Sequence, residues 1–193
     1  DQVNGLALKD LAALWLLAQT LPDIEFPDAI INGLAAVVDP FVSLAGDLAA
    51  SWFEESAPSS PYIAVTAPPI PEARLESSAR WALGAQGDQG LKRLEGTVQR
   101  AVFDGARDTI VLNVDRTGSH WIRHARSDAC AFCRMLATRH DNPRYWYASN
   151  NSALDVVDPR NRGPRALGST GYHDDCRCIA IEVREGQDYT PPD

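Results

Sequence analysis

The stretch Ala125-Arg126-Ser127-Asp128-Ala129-Cys130-Ala131-Phe132-Cys133-Arg134 is answered, after residues 135–175, by Cys176-Arg177-Cys178. All four cysteines of the chain fall in these two segments. A CxxC pair brings two sulfurs within reach of one ion, and a distant HxxCxC supplies the remaining ligands of a tetrahedral site. His173 stands three residues before Cys176 and completes that pattern. The candidate ligands are therefore Cys130, Cys133, His173, Cys176 and Cys178, five groups for four places. The expected fold follows from this division. It is mainly α, with an N-terminal helical hairpin or bundle followed by a small α+β region stapled by the Cys/His cluster.

Upstream of the cysteines the pattern is helical. Residues 5–21 carry Leu6, Leu8, Leu11, Leu14, Trp15, Leu17, Ala18 and Leu21 at the recurrence of a broad apolar stripe, with Pro22 ending it. Residues 28–55 read as a long helix. Pro40 is expected to kink or split it, with Asp39 capping the second part. Residues 57–71 contain five prolines and read as a linker, extended around Tyr62-Ile63-Ala64-Val65. Helical spacing returns over residues 72–83 and 91–110. The predicted organisation is a hairpin over 1–56, a Pro-rich linker over 57–71, a helical region over 72–112, a stapled α+β region over 113–185 and a tail over 186–193.

Beyond Asn113 the period changes. Residues 120–126 nearly alternate apolar and polar, as a strand does, and Ile179-Ala180-Ile181-Glu182-Val183 is the cleanest strand in the chain. Residues 128–138 read as a turn feeding a short helix. In a strand, Cys176 and Cys178 present their sulfurs to one side. A structural zinc contributes roughly 10–16 kcal/mol in isolated fingers, against a whole-domain stability of about 5–15 kcal/mol. The poorly periodic run 139–171 is the kind of segment that needs such a staple. Two other readings stay open. A disulfide across residues 134–175 would contribute about 4 kcal/mol, which a reducing compartment argues against. Four unpaired thiols are the other.

Charge is uneven. Residues 1–73 hold ten acidic groups and one basic group, Lys9, a net of −9; residues 74–193 hold sixteen acidic and seventeen basic, a net of +1. The acidic part lacks the cations that displace counterions from phosphate, so it is not a nucleic-acid surface. A mixed run of Arg116, Arg123, Arg126, Arg134, Arg139 and Arg144 with Trp121, Phe132, Tyr145, Trp146 and Tyr147 offers a nucleic-acid face, diluted by Asp115, Asp128 and Asp141. Snorkelling arginines on a solvated face explain it as well.

The longest apolar run, Leu11 to Ala18, is too short to span a bilayer, and no secretory leader is legible. The expectation is a water-soluble chain made in the cytoplasm, with no membrane partner. Its opening on Asp1 is what a fragment or a processed product would show. His120, His124, His140 and His173, oriented by Asp128, Asp174 or Asp175, are available to a cysteine nucleophile. Two close cysteine pairs are a poor fit to that chemistry, and there is no GxSxG.

The segment from Ala125 to Arg139, with the ending Gly171-Tyr172-His173-Asp174-Asp175-Cys176-Arg177-Cys178, resembles the MuF-like minor head proteins of tailed phages that infect actinobacteria. The helices ending in Leu48-Ala49-Ala50-Ser51-Trp52-Phe53 resemble that family's start, and the likeness covers residues 5–183. It implies a minor protein of the virion head interior near the portal, made in the host cytoplasm. Its implied partners are the portal protein and the major capsid or scaffold protein, with packaged DNA as a further contact. Relatives are often labelled capsid maturation protease, which gives the alternative function. No serine or serine–histidine pair of a head protease can be placed here, so an enzyme is the less expected reading. The run from Asn150 to Ser169 is longer than the compact loop expected between the cysteine pairs.

Overall fold

The computed structural model describes residues 1–85, 88–148, 176–184 and 186. It is mainly α. In chain order the elements are α1 (Gln2–Ala18), α2 (Phe26–Glu55), α3 (Glu72–Leu83), α4 (Gln89–Thr117), β1 (His120–His124), α5 (Ala131–Ala137), two 3-10 turns and β2 (Ile179–Val183). They form two compact units. The first comprises Asp1–Ala45 and Pro68–Gly105, the second Gly46–Ala67 and Ala106–Asp193. Both α2 and α4 contribute residues to each.

In the first unit, α1 stops earlier than its apolar stripe. Thr20 and Leu21 donate their N–H groups to Leu17 and Ala18, which tightens the last turn, and the Thr20 hydroxyl closes on the Leu17 carbonyl at 2.7 Å. Pro22 explains the stop, because the residue before a proline is pushed out of the helical region. Proline 40 neither splits α2 nor creates a second cap: the helix runs unbroken through it. Ile30, Ile31, Leu34, Val38 and Val42 form the buried stripe, whereas Ala36, Asp39 and Pro40 are exposed. The carbonyl that loses its amide partner, at Ala36, therefore lies on the wet side, where water satisfies it. By length and composition α2 is long and apolar enough to cross a membrane, a test that a core helix of a water-soluble protein also passes. Its buried stripe is the mark of a core helix.

At Gly105, α4 lies close against α2. A Cβ there would lie 2.6 Å from the Val42 carbonyl oxygen. The buried carboxylate of Asp104 takes Arg74 at 3.6 Å and Arg100 at 3.7 Å, and Asn4 donates to Gln99 across the interior.

In the second unit β1 and β2 pair antiparallel, with His120 opposite Val183, Ile122 opposite Ile181 and His124 opposite Ile179. One sheet face turns Trp121 and Ala180 into a core with Phe53, Ile110, Val111, Val114 and Tyr147; the other buries Ile122, Ile181 and Val183. Trp121 also exchanges both backbone hydrogen bonds with Tyr147, at 2.8 and 2.9 Å. Gly118, with φ +69°, supplies the left-handed residue that turns α4 into β1.

Helix α4 continues to Thr117, past the expected end near Ile110. Its added turns carry Asn113, a polar residue that reads as a helix end yet is fully buried. The Asn113 side chain accepts from the Tyr62 hydroxyl (2.7 Å) and from the Val65 N–H (2.9 Å), and donates to the Val65 carbonyl (2.8 Å). Thr109 accepts from the Ala67 N–H and Glu54 from the Ala64 N–H. Among the described residues the proline-rich run is thus held by side chains and not by a neighbouring strand.

Candidate metal centre

Cys130 is the N-cap of α5, and its sulfur accepts from the Cys133 N–H at 3.5 Å. That places Cys130 at the surface and turns Cys133 inward, one helical turn on. The other arm, residues 176–178, leads directly into β2. Arg177 is exposed between two buried cysteines, the alternation of extended chain. The sulfurs of Cys133 and Cys176 approach to 3.6 Å, and those of Cys133, Cys176 and Cys178 all lie within 4.8 Å of one another. Ala125 and Ala129 pack against this group.

The three thiols titrate as one system. Burial pushes Cys133 up to about 12. Cys176 is drawn down to about 5, first by the hydrogen bond it receives from the Cys178 thiol, which outweighs its own burial; the Cys178 backbone N–H and the Arg107 charge add to this. Cys178 is raised in turn, because its proton is held by Cys176 and its surroundings are dry. The opposite directions of these shifts follow from the sulfurs' closeness, each proton being shared between neighbours. Three soft donors converging at this spacing could hold a metal ion.

Of the five expected ligands, the structure therefore brings Cys133, Cys176 and Cys178 together. Cys130 stands beside them at the helix start, and His173 lies outside the described residues, as do Asp174 and Asp175. His140 donates from Nδ1 to the Ala137 carbonyl (2.8 Å), and its Nε2 lies 2.9 Å from Asp141. His124 is lowered by burial and by the neighbouring His140. Asp128 pairs with Arg126 at 3.2 Å. Trp121, Arg123 and Tyr147 are buried, so the arginine–aromatic run does not present them as one face. Arg139 instead covers the rings of Tyr145 and Tyr147.

Sequence reasoning missed Arg107. It is fully buried, and it donates from Nε to the Cys178 carbonyl (2.8 Å) and from Nη2 to the Cys176 carbonyl (2.7 Å). The signal was present: Arg107 stands at helical spacing from Ile110, Val111 and Val114, a cation on an apolar stripe. Such a charge needs polar partners inside.

The chain belongs to the VG15 protein family, whose model matches residues 1–193. This is a phage virion-associated family. No curated protein and no solved structure matches the chain.

Proposed function

We propose that this VG15-family chain is a MuF-like minor head protein that docks on the portal from the head interior and takes part in procapsid assembly. Its C-terminal cysteine region is held by a structural zinc ion. The observation that carries the structural reading is the burial of Cys133, Cys176 and Cys178 around one point. Zinc–sulfur bonds of about 2.3 Å in a tetrahedron set sulfurs about 3.8 Å apart, close to the 3.6 Å between Cys133 and Cys176. The fourth place falls to Cys130 or His173. Zinc bound there would link α5 to the start of β2 and would supply no open position for a substrate.

The docking surface is the tip of the hairpin formed by α1 and the start of α2. Leu14, from the apolar stripe of α1, packs over Gly33. Leu17 and Leu16 are 65% exposed, Ile24 is 84% exposed, and Leu21 also reaches solvent. Asp23 and Glu25 flank these side chains, and no lysine or arginine occurs from Asp10 to Ala73. An apolar patch with acidic neighbours suits a portal surface of apolar and basic character.

The test is coexpression with the portal protein, with a search for the chain in purified procapsids and virions. Co-purification with the portal and presence in particles are expected. Absence from both particle types would overturn the proposal. Coexpression with the major capsid protein separates the protease reading, which requires cleavage that Cys130→Ser abolishes.

A further inference from the structure

We infer that Arg107 is the positioning residue of the metal site, fixing the Cys176–Cys178 arm for the ion from a helix that supplies no ligand. This rests on the zinc reading above. The argument begins with the guanidinium geometry. Nε–H and the neighbouring N–H of Nη2 point off the same edge of one rigid plane, so they grip two acceptors at once. Here the acceptors are the carbonyls of Cys176 and Cys178, two residues apart in the chain and 69 and 71 residues from Arg107.

Holding alternate carbonyls to one edge does for residues 176–178 what a neighbouring strand does for β2. It fixes the backbone that sets both sulfurs toward Cys133. Without it, the ion would have to order that arm itself, and affinity would fall by the cost of the ordering. The charge works in the same direction. A thiolate-bound zinc with three or four cysteines is anionic, and a fully buried guanidinium beside two ligands is its counter-ion. A lysine keeps the charge and loses the fork.

The experiment uses the full chain, stripped of metal and titrated with zinc against a chromogenic chelator and with cobalt(II) as an optical probe. The variants are Arg107→Lys and Arg107→Gln, with helix content followed by circular dichroism. Both variants should bind zinc about 10- to 100-fold more weakly than the parent chain. At saturating cobalt they should still show the parent's thiolate charge-transfer band, because the ligands are unchanged. Parent-like affinity in Arg107→Lys would overturn the positioning role, leaving only a charge effect. Loss of helical structure in both variants even with saturating zinc would also overturn it, making Arg107 a residue of the fold alone. A parent chain that takes up no zinc would remove the zinc reading, and this inference with it.

Discussion

The side-chain amide of Asn113 bonds both backbone groups of Val65, accepting from its N–H and donating to its carbonyl across 48 residues of sequence. One residue of α4 thereby does the work of a strand edge for a segment whose prolines prevent it from forming one. Asn113→Leu keeps the branched outline of the side chain, in a larger volume, but strands those groups and the Tyr62 hydroxyl. Each partly buried group left without its partner costs about 0.5–1.5 kcal/mol. Urea unfolding should show a clear loss of stability, and an unchanged midpoint would contradict this account of residues 62–67.

Gly105→Ala tests the close approach at Val42. Helix propensity alone favours alanine by about 1 kcal/mol. The new Cβ, 2.6 Å from a backbone oxygen, forces the helices apart at a cost of about 1–3 kcal/mol. The clash should win, giving a lower thermal midpoint. A midpoint raised by the substitution would show that the backbone yields freely there.

Metal uptake should be steeply pH-dependent. Cys176 lies below its ordinary range, so it remains a thiolate until pH falls toward about 5. Cys133 and Cys178 lie above theirs and carry protons at neutral pH, and zinc must displace both. Between these limits, apparent affinity should rise about 100-fold per pH unit from those two protons alone. Below about pH 5, protonation of Cys176 steepens the loss. Zinc titrations in weak buffer would measure the protons released, and a pH-independent affinity would contradict the assignment of thiols.

Leu17→Asp and Ile24→Asp change only exposed groups, so each should shift stability by no more than about 0.5 kcal/mol. Both should weaken co-purification with the portal and leave zinc content untouched. A large loss of stability would mean that the hairpin tip is core.

Elements with a single clean period were legible in the sequence. Residues 72–83 and 179–183 match α3 and β2 end for end, because α3 carries its apolar residues on one face and β2 alternates Ile179, Ile181 and Val183 with Ala180 and Glu182. The misreadings occur where a polar or imino residue does an unusual job. Pro40 is tolerated because its side of α2 is wet, and Asn113 extends α4 because tertiary partners satisfy it. The cysteine pattern brought out three residues that do converge. Arg107 escaped notice because the carbonyls it holds come from the far end of the chain, which no local pattern reports.

The most direct measurement is metal content with a free-thiol count on the purified full chain, before and after denaturing chelation. The account predicts one zinc ion per chain, with Cys133, Cys176 and Cys178 protected until the metal is removed. A metal-free chain in which all four cysteines react without chelation would contradict it.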